Sequence, residues 1–484
     1  MLRMDYSKYE TVIGLEVHAQ LQTNSKLFSG DANRFGGQPN TQINPITLAH
    51  PGTLPKINKK AIEYAIKMGL ACHCTIETLN CFARKNYFYP DLPKGYQISQ
   101  HTTPICIGGY VSVFIAGTEK KIHLNRIHIE EDAGKSIHDA VDGFTCIDYN
   151  RAGTPLIEIV TEPCIQSAEE AFQYLTEIRK LVRWIDICDG NMEEGSLRCD
   201  ANISIRLKGT TELGTKVEVK NLNSIRNVKK AIEFEVERMI RLVEKGETIV
   251  QQTRSFDAAN DTTFAIREKE EANDYRYFPD PDLVPFFINP SSIEAIRKTM
   301  PALPNALKEK LQQEYGLSDY DAHQLCEDKY TAAYFEATAS YNRNFKAIAN
   351  WLLGPLKQYL NEQGQDFNQQ PLLPITLAGI IQLVDEGKIN FSTAANKLLP
   401  VLINTNAHPA ATAESMNLIQ VSDQNAVADW VQHVIKSMPE KVTEYKKGKK
   451  GLIGLFVGEV KKLSKGKADP KTTTTLLEKF LNEK

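Results

Sequence analysis

The chain has 484 residues, of which 42% are hydrophobic and 24% charged. That is the composition of an ordinary soluble globular protein, and at this length roughly three domains are expected rather than one core. No apolar run approaches the roughly 20 residues that span a bilayer, and the start "MLRMDYSKYETVIGLEVH" lacks the apolar core and cleavage site of a secretory signal. A cytoplasmic location and no membrane contact are the expectation.

The first predicted element is a strand, "GLEVHAQL". Its alternation puts Glu16, His18 and Gln20 on one face and Leu15, Val17, Ala19 and Leu21 on the other. A helix is expected over 58–72, "NKKAIEYAIKMGLAC", ending in the cluster Cys72-His73-Cys74 with Cys81 downstream. A zinc site usually shows two clear ligand pairs. Nine scattered cysteines instead read as reduced thiols in core or surface positions, with zinc as the alternative.

Further strands follow. In "RIHIEEDAGKS" the neighbours Glu130 and Glu131 must face opposite ways; "DAGKS" lacks the first glycine of a phosphate loop and is not one. "PLIEIV" sets Glu158 in an apolar run after a Gly-Thr-Pro breaker, where a lone carboxylate costs several kcal/mol unless paired. "SLRCDANISIRL" gathers Arg198, Asp200, Asn202, Ser204 and Arg206 on one face, and "TKVEVKNLNS" offers Lys216, Glu218 and Lys220. A helix is expected over 224–246, with Gly246 placed for its C-cap.

Each strand alone reads as one solvated face. Together, separated strands present carboxylates, one with a histidine two residues from its glutamate, and basic residues accompany them. On a shared sheet they would converge on a concave surface. Carboxylate oxygens with one imidazole suit Mg²⁺ or Mn²⁺, and arginine or lysine could neutralise phosphates. No nucleophile motif stands out, so chemistry here would be electrostatic.

Strand signals vanish from about residue 291, where "SSIEAIRKTMPALPNALKEKLQQEYG" opens a helical region. A second helical unit follows the loop "NTNAHPAATAES". From Ser437 onward there are twelve lysines and six acidic residues, about +6 for this end against about −9 for the rest. A basic appendage on an acidic body points to a polyanion partner or to a solvated surface. The pattern predicts α+β: a mainly antiparallel-sheet cradle (1–290), an all-helical domain (291–405) and a helical tail (406–484).

The runs "IGLEVHAQL", "PGTLPKIN", "FARKNYFYPDLPKGYQISQ", "IHIEEDAGKS", "DYNRAGTPLIEIVTEP", "GSLRCDANISIR", "VEVKNLNS" and "DYRYFPDPDL", in this order, resemble the GatB family of the aspartyl/glutamyl-tRNA amidotransferases. "KGKKGLIGLFVGEVKKLSKGKADPK" is similar to that family's YqeY-like tail. The resemblance implies a heterotrimer with two partners: an amidase (glutaminase) subunit, which releases ammonia from glutamine, and a small third subunit. It implies that the chain binds mischarged Glu-tRNA(Gln) or Asp-tRNA(Asn) with ATP and Mg²⁺. There it would phosphorylate the side-chain carboxylate, and channelled ammonia would displace the phosphate.

Carried over by residue, the resemblance implies metal ligation by Glu16, His18, Glu158 and one of Glu130 and Glu131, with Asp200 as a further carboxylate. Glu130 is assigned to the metal, and Glu131 with Lys85 to the exit of the ammonia channel. Arg151, Lys220 and Asn221 are expected on ATP phosphates or the substrate carboxylate. In the tail, Lys446, Lys447, Lys449, Lys450, Lys461, Lys465 and Lys467 are expected to contact tRNA. A non-catalytic tRNA-binding scaffold and a stand-alone metal-dependent hydrolase are the rival readings.

Overall fold

The computed structural model describes residues 6–268, 275–419, 424–464 and 467–482. The chain divides into two compact units, Met1–Leu303 and Pro304–Lys484.

The first unit is built on a thirteen-stranded sheet. The strands that matter for the site are β1 (Tyr9–Gln20), β2 (Ala83–Asn86), β3 (Tyr96–Ser99), β4 (Thr118–Glu131), β5 (Pro155–Thr161), β6 (Leu197–Leu207), β7 (Val217–Lys220), β8 (Gln252–Asp257), β9 (Thr262–Glu268) and β10 (Phe278–Pro279). They lie side by side in the order β9-β8-β7-β6-β1-β5-β4-β3-β2-β10. All of these pairs are antiparallel except β7 with β8. The mixed α+β architecture is as expected from the sequence.

β1 sits in the middle, and its period of two sorts the faces as its sequence dictates. Ile13, Leu15, Val17 and Ala19 are fully buried on the side covered by three helices: α1 (Lys59–Ala71), α2 (Ala168–Trp184) and α3 (Ile225–Glu244). Asn58, Ser167 and Ser224 cap their N-termini by accepting backbone N–H groups two or three residues on. Gly246 follows α3 in the left-handed conformation, φ 76°, which closes a helix at little cost only for glycine. The opposite face of the sheet carries Glu16 and His18.

The second unit is helical. Its C-terminal part, with helices Gln424–Ser437, Pro439–Lys446, Ile453–Leu463 and Pro470–Asn482, has a core of its own around Val427, Val431, Phe456, Val460, Leu477 and Leu481. Pro409–Ser415 instead packs on the helix Pro374–Asp385, with Pro409 against Gly379. Among the described residues no helix is long and apolar enough to cross a membrane.

Candidate functional site: an acidic sheet face beside a cation-lined cavity

Register assembles the site. On β1, His18 is directly opposite Glu158 of β5 on one side and Arg198 of β6 on the other. Glu158 is in turn opposite His128 of β4, and Glu130, two residues on, is opposite Ser99 of β3. Side chains on one sheet face thus meet although they lie up to about 180 residues apart in sequence.

His18 Nε2 lies 3.6 Å from Glu130 Oε1 and 3.7 Å from Glu158 Oε2. His128 Nε2 lies 3.1 Å from Glu158 Oε2 and 3.7 Å from Glu130 Oε2. Burial by itself lowers the pKa of His128, but its two carboxylate neighbours outweigh that and raise it to about 9. Burial pushes the Glu158 carboxyl up, yet His128, His18 and Lys85 hold it well below the usual range. An imidazolium between two carboxylates offsets part of their charge. The Nδ1 of His128 is buried without a hydrogen-bond partner among the described residues.

The four residues expected on one metal divide. One ligand atom each from His18, Glu130 and Glu158 lie within 4.8 Å of one another. One imidazole nitrogen and two carboxylate oxygens so grouped are a donor set that could hold a hard divalent cation. Glu16 groups instead with Asp200 and Glu218. The reason is the strand itself: two residues along β1 are about 6.7 Å apart, and Glu16 is opposite Asp200. Asn202 Nδ2 donates to Glu16 at 2.9 Å. Burial first, then Glu158 and Asp200, raise the Glu16 pKa. Lys220 Nζ reaches Asp200 at 2.6 Å and Glu218 at 3.1 Å, and these carboxylates outweigh burial to raise its pKa.

Lys85 and Glu131, both expected at the exit of an ammonia channel, lie apart. Neighbours on β4 point to opposite faces, so Glu131 leaves the site. It meets Lys94 at 2.5 Å and accepts the Ile98 N–H at 2.9 Å. Lys85 stays on the Glu130 side: its pKa is raised because the charges of Glu130 and Glu158 outweigh burial. Its Nζ stands 4.8 Å from the centre of the Tyr275 ring.

Next to this face is a cavity of about 510 Å³ whose wall includes Arg151, Arg198, Asp200, Lys220 and Asn221. Arg151 donates to the carbonyls of Ala133 and Gly134 at 2.9 and 2.5 Å, which ties it to that turn. Asn221 adopts φ 61° and donates from Nδ2 to Ser255 Oγ at 2.7 Å. Arg198 Nη2 lies 2.9 Å from the buried Asp132. Burial alone would raise the Asp132 pKa; Arg198 and Arg151 hold it below the ordinary value.

Sequence reasoning gave no role to His128 or Asp132, and placed Arg198 and Glu218 only as members of polar strand faces. His128 and Glu130 share a strand face at a spacing of two, which the alternation already contained. The register that brings Arg198 beside His18 was not contained in it. The cysteines are free, and Cys72, Cys74 and Cys81 form no metal-type group among the described residues. Lys446, Lys447, Lys449, Lys450 and Lys461 are exposed and Lys467 is half-buried; Lys465 lies outside the described residues.

Fold and site together define a mixed α+β protein whose central sheet gathers carboxylates and imidazoles that could hold a hard cation, beside a cation-lined cavity. A sequence model of the GatB/GatE catalytic domain matches residues 11–294, and one of the GatB domain matches residues 333–481. The chain is 48% identical over 476 residues to the GatB subunit of the aspartyl/glutamyl-tRNA(Asn/Gln) amidotransferase of Thermodesulfovibrio yellowstonii, a match that covers 98% of this chain and 100% of that protein. The proteins of the same name from Persephonella marina and Geotalea daltonii are each 47% identical, covering 98% of this chain and 100% and 99% of theirs. The chain belongs to the GatB family.

Proposed function

We propose that this chain is the carboxylate-activating subunit of a tRNA-dependent amidotransferase that converts mischarged Glu-tRNA(Gln), Asp-tRNA(Asn) or both to the amidated forms. The observation that carries the reading is the junction of the acidic face with the cation-lined cavity, in a chain alike over its whole length to proteins of that name. A free carboxylate is a poor acyl donor, since it is anionic and has no leaving group. In the proposed reaction an oxygen of the substrate carboxylate forms a bond to the γ-phosphorus of ATP. The bond to the bridging oxygen breaks and ADP leaves with its electron pair. Ammonia then adds to the acyl carbon, phosphate departs with the C–O electron pair, and the nitrogen loses one proton.

Two anions must approach each other in the first step, so cations must offset their repulsion. Mg²⁺ held by His18, Glu130 and Glu158 would supply Lewis-acid charge there. Lys220 and Asn221 line the cavity that would receive ATP phosphates. Arg151 orders the turn beneath it. Ammonia has to arrive unprotonated and away from water. This favours a partner amidase that delivers it through a channel, within a complex that also holds a small third subunit. Lys85 with its tyrosine neighbours is the proposed arrival point. The exposed tail lysines are the proposed tRNA contacts, and translation enzymes of this type act in the cytoplasm.

The test is ATP-dependent amidation by the reconstituted complex on both mischarged tRNAs. Formation of Gln-tRNA or Asn-tRNA with ADP release supports the reading; amidation of neither overturns it. Replacing Lys446, Lys447, Lys449 and Lys450 by glutamine is expected to weaken tRNA binding and to reduce the salt-dependence slope by about 0.9 for each duplex phosphate no longer neutralised. An unchanged slope removes the tail from the tRNA site.

A further inference from the structure

Two of the cations in the cavity wall are already engaged. Lys220 sits on Asp200 and Glu218, and Arg151 holds two carbonyls of the Ala133–Gly134 turn. Arg198 is placed differently. Asp132 takes its Nη2 at 2.9 Å, and a guanidinium has five N–H donors in a fixed fork. Donors are therefore left over for a ligand in the cavity that Arg198 lines.

Asp132 is built to hold that fork. It is 6% exposed, and its Oδ2 also accepts Gln20 Nε2 at 2.8 Å. Its backbone is fixed on both sides, donating to Thr154 O and accepting from Gly153 N–H. One edge of the guanidinium is thereby set by a buried carboxylate on rigid backbone. β6 sets the other coordinate, because Arg198 is directly opposite His18 of β1 and Glu158 follows on the next strand. The guanidinium stands where the metal-type triad and the cavity meet.

We propose that Arg198 binds the phosphoryl group in transfer to the substrate carboxylate, and that Asp132 is its positioning residue. This rests on the amidotransferase reading above. A planar guanidinium matches two phosphate oxygens at once, which a lysine ammonium does not. Charge on the transferring group is spread over its equatorial oxygens, so a fork fixed beforehand stabilises the transition state without reorganising.

The test uses the reconstituted complex with mischarged tRNA, ATP and glutamine. Arg198→Ala is expected to lower kcat for amidation about 100-fold, with a smaller change in KM for ATP. Millimolar guanidinium is expected to restore part of that rate, which a general loss of structure would not allow. Asp132→Asn is expected to lower kcat about tenfold, the low end for groups that orient a functional side chain, without rescue by guanidinium. If Arg198→Ala does not fold, Arg198→Lys decides: the expectation is a folded, tRNA-binding protein with kcat reduced at least tenfold. A kcat within twofold of the parent in either Arg198 variant overturns the assignment, as does loss without rescue in a folded Arg198→Ala protein. Failure of the parent complex to consume ATP with either mischarged tRNA overturns the functional reading instead.

Discussion

The sheet face has an acidic half and a basic half, and they handle charge in opposite ways. Around β1, β5 and β4, the carboxylates Glu130 and Glu158 lie against two imidazoles, His18 and His128. Around β6 and β7, Asp200, Glu218 and Asp132 are balanced by Lys220 and Arg198, cations that keep their charge at neutral pH. An imidazole can give up its proton and become a metal ligand; a guanidinium cannot. The acidic half can therefore exchange its internal cation for an external one. The basic half keeps its cations and has donors left for an anion. A site that joins a metal to a phosphate needs both behaviours side by side.

The most severe way to break the contrast is at Glu158. Glu158→Gln keeps the shape of the side chain and removes one negative charge from the triad. Its expected effect is a loss of at least about 100-fold in ATP-dependent amidation, the size one electrostatic group commands in a transition state. The stabilisation by Mg²⁺ in thermal melts is expected to shrink with it. A variant that melts with parental Mg²⁺ dependence would move the metal elsewhere.

A smaller effect is expected in the basic half. Lys220→Met leaves Glu16, Asp200 and Glu218 without their internal cation, while the triad stays intact. The variant is expected to raise KM for ATP about tenfold, as the loss of one phosphate interaction of about 1.4 kcal/mol would. It is also expected to gain more thermal stability from millimolar Mg²⁺ than the parent does, because a second carboxylate group is now open to the ion. Parental behaviour in both measurements would mean that Lys220 only covers the surface.

Much of this was legible in the sequence where a period of two was enough. The carboxylate faces of β1, β4, β5 and β6 follow from alternation, and helices α1 and α3 from their spacing and caps. What alternation cannot give is which residues stand opposite one another. Glu16 and His18 share a face, yet only the register with β5 and β6 sends His18 to Glu158 and Glu16 to Asp200. The same limit explains Lys85. It is expected with Glu131 at one exit, whereas β4 turns Glu131 toward Lys94 on the opposite face.

The last expected effect concerns stability rather than catalysis and lies beneath the basic half. Lys26 has no exposed surface, reaches Tyr149 O at 3.4 Å, and packs over Gly153, in the loop that carries Arg151. Burial lowers its pKa from 10.5 to about 8, against the pull of Asp31, Glu131 and Asp148. The unfolded chain keeps the ordinary value, so between pH 8 and 10.5 it binds more protons than the folded protein does. Stability then rises with pH through that window, and below about pH 8 the full cost of the buried charge is present. Lys26→Met, which keeps length and removes the charge, is expected to be more stable than the parent at pH 7. That gain should shrink between pH 8 and 10.5 and vanish above it in urea melts. A gain independent of pH would mean that packing rather than charge makes the difference. A loss of stability at pH 7 would mean that Asp31, Glu131 and Asp148 need this cation. In that case the basic half, like the acidic one, holds its anions by a buried partner rather than by solvent.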